Sequence, residues 1–314
     1  MMQHRNESNS YGSQPHRTGT MVFVGAMGAL LHSLTSLAAG GFPPVVDTSD
    51  FSAADGLVIS GREQEDFLGT SANVVGDFNG DGYADLGVTA AFADPEGQLF
   101  AGEAYIVFGG ATVSGHLSVA SLTAESGIVF QGTGEGDSVA TISGVGDVNG
   151  DGFDDVVIGA PSADLFGMNS VGQAYILFGR SEPFETPLTR DSLGSGVGVV
   201  LNGWDEFGDA GSCVSEAGDF NNDGLPDVLI TGISADAGGR FGAGQAYVVF
   251  GASDLPSRAE ISLLGLDGES GVVINGGANG DNFGRDCCSM IEETRNETQS
   301  GRERVQGAKR PPVV

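Results

Sequence analysis

Basic residues are scarce in this chain of 314 residues, because 13 Lys and Arg stand against 42 Asp and Glu for a formal net charge of −29. Binding to nucleic acid requires basic side chains that neutralise phosphates, so no nucleic-acid partner is expected. Histidine is also rare, and three of the four histidines precede residue 40. Since no Ser-His-Asp arrangement or phosphate-binding glycine loop stands out, we predict that the chain is not an enzyme.

The three cysteines give no framework of disulfides or metal ligands. Cys287 and Cys288 are neighbours, which rarely pair with each other, and no spacing typical of a zinc site is present. Cys213 lies in a strand-like run and is interpreted as a small buried apolar residue. The single tryptophan, Trp204, is interpreted as a packing residue.

Amphipathic helical stretches are absent from the middle of the sequence, where glycine-bounded apolar runs instead return about every 71 residues. The runs GLVISG, GIVFQG, GVVLNG and GVVING begin the successive units. Two further markers, GDFNGDGYAD-like and GQAYILFG-like segments, follow in the same order in the first three units. We therefore predict a repeat region at 50–284, with complete units at 56–126, 127–197 and 198–270 and a partial unit at 271–284.

Each complete unit contains four short runs rich in β-branched and aromatic residues, separated by Gly- and Asp-rich turns, which is typical of strands. Tandem units of four strands predict an all-β fold, a partial β-propeller of three complete four-stranded blades plus the start of a fourth. A parallel β-helix is the alternative, but its coils are usually much shorter.

Each complete unit also carries the pattern D-x-N-x-D-G-x-x-D just before an apolar run. Side-chain oxygens at positions 1, 3, 5 and 9 of a tight loop, with the backbone carbonyl at position 7, can converge on one cation. Three carboxylates, one amide and no His or Cys favour Ca²⁺ over zinc, copper or Mg²⁺. We predict about three Ca²⁺ ions, one per loop, bound by Asp77, Asn79, Asp81, Tyr83 and Asp85; by Asp147, Asn149, Asp151, Phe153 and Asp155; and by Asp219, Asn221, Asp223, Leu225 and Asp227.

Two other interpretations of this pattern are weaker. Polar hairpin turns often contain Asn-Gly or Asp-Gly, but recurrence of all four side-chain positions in three copies argues against turns alone. An EF-hand loop needs a Glu at position 12, where this chain has Val88, Ile158 or Ile230. Asp154, which lies outside the pattern, is expected to face solvent.

These units resemble the FG-GAP repeat of integrin α-subunit propellers and of many bacterial surface proteins, over roughly residues 50–284. The GAP motif is Gly159-Ala160-Pro161, and FG occurs at Phe207-Gly208 and Phe283-Gly284. The resemblance implies a Ca²⁺-binding propeller for adhesion or protein recognition outside the cell, with no ligand identified. A lectin-like propeller that binds glycans and, less favoured, a propeller hydrolase are the alternatives.

The family's propellers usually close with seven blades, whereas three complete units are present here. We therefore expect poor stability as a monomer, or self-association that completes the propeller. Residues 1–40 are interpreted as a leader with a signal peptide, which predicts a secreted or cell-surface protein; a membrane anchor is the alternative. Residues 285–314 have a different charge balance and are interpreted as a divergent tail. A frame slip or premature end in the coding sequence after Gly284 is one explanation, and a disordered polar segment is the alternative.

Overall fold

A computed structural model describes residues 20–23 and 56–285, apart from residues 112, 114 and 195. Most of the predicted leader and nearly all of the predicted tail therefore lie outside the described residues. Within the leader, Thr20–Phe23 forms strand β1, which pairs with β2 (Leu57–Ser60); β6 (Gly115–Ser118) lies parallel to β2 on its other side. No helix in the described part of the chain is long and apolar enough to span a membrane.

Three further sheets follow one another along the chain and confirm the predicted blades of four antiparallel strands. Blade 1 contains β3 (Leu68–Gly76), β4 (Asp85–Ala90), β5 (Glu103–Val107) and β7 (Gly127–Gln131). Blade 2 contains β8 (Thr141–Gly146), β9 (Asp155–Ala160), β10 (Gln173–Leu177) and β12 (Gly198–Asn202). Blade 3 contains β13 (Ala210–Gly218), β14 (Asp227–Gly232), β15 (Gln245–Val249) and β17 (Gly271–Asn275).

Short elements complete the blades. Strands β11 (Leu188–Thr189) and β16 (Glu260–Ser262) add in parallel to the outer strands of blades 1 and 2. Single 3₁₀ turns occur at Pro95–Gly97, Val119–Ser121, Arg190–Ser192, Leu255–Ser257 and Leu263–Gly265.

Each blade takes its fourth strand from the beginning of the next sequence unit. Strand β7 begins the second unit but pairs with β5 of blade 1, and β17 begins the partial fourth unit but completes blade 3. Sheets and sequence repeats are therefore offset by one strand, so neighbouring units are joined by main-chain hydrogen bonds as well as by packing.

The hydrophobic core lies between successive blades. In β9, Val156 and Ile158 pack in the core between blades 1 and 2, whereas Val157 packs in the core between blades 2 and 3. Every residue of β9 is buried, as expected for a strand enclosed on both faces. Trp204 packs against the second core.

Candidate calcium loops

The three acidic patterns form equivalent hairpin loops between the first two strands of each blade: loop 1 (77–85), loop 2 (147–155) and loop 3 (219–227). A glycine closes each hairpin by pairing with the aspartate at loop position 9: Gly76 with Asp85, Gly146 with Asp155 and Gly218 with Asp227. All three glycines have positive φ, at 81°, 69° and 67°. The strand register shifts between each of these pairs and the next pair along the same two strands. This left-handed conformation favours glycine, so the local sequence determines the loop geometry.

The side chains at positions 1, 3 and 5 turn into their own loop. In loop 1, Asp77 accepts hydrogen bonds from the backbone N–H groups of Asp81 and Gly82, both at 2.9 Å. Asn79 Oδ1 accepts the Asp81 N–H at 3.0 Å, and Asp81 Oδ1 accepts the Tyr83 N–H at 2.9 Å. Loops 2 and 3 repeat these bonds through Asp147, Asn149 and Asp151, and through Asp219, Asn221 and Asp223.

The residue at position 7 donates its backbone N–H to the aspartate at position 5 of its own loop. These donors are Tyr83, Phe153 and Leu225. The predicted role of the position-7 carbonyl as a cation ligand stays a prediction. The glycines at position 6 have φ of +87°, +97° and +96°, and no atom lies within 4 Å of the point that a Cβ would occupy on Gly82, Gly152 or Gly224. Glycine is therefore required there by backbone conformation and not by crowding.

The aspartate at position 9 has a different environment, because Asp85, Asp155 and Asp227 are completely buried. In loop 1, Asp85 Oδ2 accepts the Phe78 N–H at 3.0 Å and its Oδ1 accepts the Gly109 N–H at 2.7 Å. The corresponding donors are Val148 and Gly179 for Asp155, and Phe220 and Gly251 for Asp227. Each of these carboxylates ties its loop to the segment that follows the third strand of the blade.

Burial determines the electrostatics of these position-9 acids. Desolvation raises the pKa of Asp85 to about 6 and that of Asp155 to about 8, although the two N–H donors on each act in the opposite direction. The pKa of Asp227 is raised for the same reason.

The donor chemistry of the loops fits a hard cation, because the Asp and Asn side chains at positions 1, 3, 5 and 9 offer only oxygen acceptors in the predicted set, beside the backbone carbonyl at position 7. Among the described residues, however, no three His, Cys, Asp or Glu side chains converge closely enough to hold a metal. The position-9 acid is directed to backbone N–H groups, as at Asp85, while positions 1, 3 and 5 line the loop. A carboxylate oxygen that accepts one N–H keeps a further lone pair, so position 9 stays a predicted ligand.

Neighbouring loops also contact one another, which the sequence pattern did not indicate. Asp154 Oδ2 accepts the backbone N–H of Asp77 at 2.7 Å, and Asp154 is half-buried. The expectation that Asp154 faces solvent was therefore wrong. The only signal in the sequence is the variation at position 8, where Ala84, Asp154 and Pro226 occupy equivalent places.

The opposite end of the blades carries exposed aromatic side chains. Antiparallel pairing places the loop after each second strand, and the connection into each new blade, at the end away from the acidic loops. Seven exposed phenylalanines lie in these segments, and we call them the phenylalanine rim: Phe67, Phe92, Phe100, Phe166, Phe207, Phe241 and Phe283.

The backbone of the phenylalanine rim carries a conformational cost, and its rings are highly exposed. Phe67, Phe100, Phe166 and Phe207 have φ between 55° and 61°, a left-handed conformation that is unfavourable for a bulky residue. Phe166 is nevertheless 80% exposed and Phe241 is 73% exposed, so most of the surface of these side chains stays in contact with water. In blade 1, Phe92 lies edge-on to Phe67 and Phe100, with ring centroids 5.2 and 5.8 Å apart.

Cys213 in β13 is disulfide-bonded and half-buried, so its interpretation as a buried apolar thiol was wrong. Local sequence pattern offers no basis for predicting this bond, because pairing of distant cysteines depends on the fold that brings them together.

Comparisons with known proteins identify the repeat. The FG-GAP repeat model matches residues 69–107 and 139–177, which span β3–β5 and β8–β10. The resemblance to FG-GAP repeats is thereby confirmed, and the chain contains two repeats of this family. Loop 3 lies outside the matched residues but has the same hydrogen bonds as loops 1 and 2.

Relatives of known identity match part of this chain. Phosphatidylinositol-glycan-specific phospholipase D of Rattus norvegicus is 34% identical over 122 residues, which cover 37% of this chain and 14% of that protein. Integrin alpha-IIb of Homo sapiens is 34% identical over 110 residues, covering 35% of this chain and 10% of the integrin. Integrin alpha-8 of Gallus gallus is 32% identical over 145 residues, covering 44% and 12%. The chain thus spans a small fraction of the length of these relatives.

Proposed function

We propose that this FG-GAP chain is a calcium-stabilised, non-enzymatic module that recognises protein ligands outside the cytoplasm. The observation that carries the proposal is the division of the blades into two ends, with acidic loops at one end and the phenylalanine rim at the other. The first end is suited to holding cations, and the second end is suited to docking a partner.

Calcium would be held by the oxygens of positions 1, 3 and 5, which are Asp77, Asn79 and Asp81 in loop 1. A bound Ca²⁺ supplies positive charge that offsets the repulsion between the carboxylates of each loop. Extracellular modules need Kd values of only about 10⁻⁴–10⁻³ M, since calcium is abundant there. The position-9 acids would then fix the filled loop to the rest of its blade.

Recognition would use the phenylalanine rim. Exposed phenylalanines in a left-handed backbone conformation are unfavourable for folding alone, so their occurrence in four rim positions favours a role in binding. Aromatic side chains are also enriched where protein partners dock. A glycan ligand is the second candidate, supported by the same rings acting as stacking platforms.

Location outside the cytoplasm has independent support from Cys213, because disulfide bonds persist mainly in oxidising compartments. Resemblance to integrin alpha-IIb is consistent with adhesion. Resemblance to a phospholipase D does not favour catalysis here, since the two matched repeats contain no histidine and their acids lie mainly in the loops.

Binding of the full chain to an immobilised panel of extracellular-matrix proteins, in parallel with a glycan array, tests this proposal. We expect calcium-dependent binding to a matrix protein that falls at least tenfold in the double variant Phe166→Ser/Phe241→Ser. Leu264→Ser is the matched control, because Leu264 is 62% exposed but lies between the last two strands of blade 3, at the acidic end. Binding to glycans alone, equal loss in the control, or no binding on the panel would contradict the proposal.

Self-association that completes the propeller stays a separate prediction. Light scattering coupled to size-exclusion chromatography measures it directly, and a monodisperse monomer with high thermal stability would contradict it.

A further inference from the structure

Loops 1 and 2 are in close contact along the acidic end of the blades. The Phe153 ring lies so near Gly80 that a Cβ on that glycine would be 2.4 Å from Phe153 Cε1. A Cβ on Gly76 would be 2.3 Å from Asp154 Oδ2. Such distances are far below van der Waals contact, so loop 2 can approach loop 1 only because both positions are glycine.

Asp154 connects the parts of the two loops that carry predicted ligands. It lies between Phe153 and Asp155, which are positions 7 and 9 of loop 2. Its carboxylate accepts the N–H of Asp77, which is position 1 of loop 1, at 2.7 Å. The Asp77 carboxylate in turn accepts two N–H groups of its own loop. The ligand segment of loop 2 and the first ligand of loop 1 are therefore joined by consecutive hydrogen bonds.

The equivalent junction between loops 2 and 3 lacks this bond. Pro226 occupies the place of Asp154, and its side chain has no acceptor atom; a Cβ on Gly146 would lie 3.1 Å from Pro226 Cγ. Leu225 replaces Phe153 and is also more loosely placed, at 3.4 Å from a Cβ on Gly150. Both junctions share a backbone bond to the loop of the preceding blade, from Arg180 N–H to the Phe78 carbonyl at 3.0 Å and from Ala252 N–H to the Val148 carbonyl at 2.9 Å. They differ in the charged side-chain bond of Asp154, which Pro226 cannot make.

We propose that Asp154 is a positioning residue that couples Ca²⁺ binding in loop 1 to Ca²⁺ binding in loop 2, while loop 3 binds independently. This inference rests on the proposed calcium-binding function of the loops. An ion in loop 2 fixes residues 153–155 and so holds the Asp154 carboxylate against the Asp77 N–H. Loop 1 is then pre-organised before its own ion arrives, and by linkage an ion in loop 1 strengthens binding in loop 2 by the same factor.

The coupling factor is measured by calorimetric titration of the full chain with CaCl₂. Loop 3 is silenced throughout by Asp223→Ala, and loop 2 is silenced in a second series by Asp151→Ala. The ratio of the loop 1 Kd values in the two series gives the coupling, and thermal melting verifies that each variant is folded. We expect loop 1 to bind about tenfold more weakly when loop 2 is silent, as expected for loss of a charge-assisted hydrogen bond.

Substitutions at Asp154 decide whether this residue carries the effect. Asp154→Ala should reduce the ratio to about one, whereas Asp154→Asn, which keeps an oxygen acceptor, should retain a ratio of about three. Pro226→Ala in a chain with loop 3 intact is the control and should leave the affinities of loops 1 and 2 unchanged.

The outcomes separate the inference from the function on which it rests. Failure of every loop to bind Ca²⁺ overturns both the proposed function and the inference. Binding with a ratio near one when Asp154 is retained, a ratio that survives Asp154→Ala, or equal values for Asp154→Asn and Asp154→Ala overturns the inference alone.

Discussion

Tyr175 donates a hydrogen bond of 2.9 Å from its hydroxyl to the side-chain oxygen of Gln173, two residues earlier on β10. The Gln173 amide donates in turn to Asn202 Oδ1 on the neighbouring strand, at 2.6 Å. Blade 3 repeats these bonds through Tyr247, Gln245 and Asn275, although Asn275 at the end of its strand is exposed. A polar group in the core is thus satisfied within each blade, and the tyrosine that fills the core also closes the network.

Tyr175→Phe should destabilise the protein by about 1–2 kcal/mol, because the buried oxygen of Gln173 loses its donor while core volume is almost unchanged. Chemical denaturation at a fixed calcium concentration measures this difference. Tyr83→Phe is the control: Tyr83 is 46% exposed, and its change should stay within about 0.5 kcal/mol. An equal effect of both substitutions would contradict a stabilising role for the network.

Blade 1 has a charged version of the same network. Glu103 replaces the glutamine, is buried, accepts the hydroxyl of Tyr105 and the amide of Gln131, and forms a 3.1 Å ion pair with Arg62. We expect Arg62→Ala to lower the free energy of unfolding by about 1–2 kcal/mol, a value reduced by solvent because the Arg62 side chain is 37% exposed. Glu103→Gln, which copies blades 2 and 3, should suppress this loss in a double-mutant cycle. Additive effects of the two substitutions would show that the ion pair contributes nothing.

Asp137 should make stability depend on pH. Burial raises the pKa of its carboxyl above the ordinary value, and the Gly134 N–H, at 2.6 Å, only partly offsets this. Because the folded state binds this proton more tightly than the unfolded state, the contribution is present below about pH 4 and is lost as pH rises through the raised pKa. Asp137→Asn should therefore gain stability relative to the native chain as pH increases from 4 to 7. A difference in stability between Asp137→Asn and the native chain that stays constant from pH 4 to 7 in chemical denaturation would contradict this assignment.

Chelation should lower the melting temperature. At a calcium concentration ten times Kd, each filled loop adds about 1.4 kcal/mol, so three loops together add about 4 kcal/mol and raise the melting temperature by about 10 °C. Scanning calorimetry in EDTA and in CaCl₂ compares the two states, with MgCl₂ as the ionic control. A variant with Asp81→Ala, Asp151→Ala and Asp223→Ala should lose the calcium response. An unchanged melting curve in EDTA would exclude structural calcium.

The sequence predicted the parts of the fold that recur at a fixed spacing. Four strands per unit, the enclosed β9 and the hairpin position of the acidic loops all follow from local pattern and repetition. The offset of one strand between unit and blade could not be predicted, because the run GIVFQG has the same local properties whichever sheet it joins. Its pairing with β5 depends on long-range contacts that exist only in the folded chain.

In the candidate site, too, contacts within a loop could be predicted from the sequence and contacts between distant segments could not. Residue types and spacing predicted which oxygens line loops 1 to 3, since these bonds lie within nine residues. They could not show that both oxygens of Asp85 are occupied by Phe78 and Gly109, because Gly109 follows the third strand of the blade. The Asp154–Asp77 bond spans 77 residues, and nothing in the sequence distinguished this aspartate from an exposed one.

The contact between loops 1 and 2 predicts unequal effects of alanine at two glycines of loop 1. Gly80 and Gly82 both have positive φ, at +73° and +87°, so alanine should lose about 1–2 kcal/mol at either position from backbone strain. Only at Gly80 does the added methyl group meet another side chain, the Phe153 ring, whereas no atom lies within 4 Å at Gly82. Gly80→Ala should therefore destabilise the chain by about 1–3 kcal/mol more than Gly82→Ala, because the ring or the loop must move. Chemical denaturation in EDTA measures both variants without the contribution of calcium. Combining Gly80→Ala with Phe153→Ala should remove the extra loss, and equal losses for the two glycine variants would show that the loops do not pack together in solution.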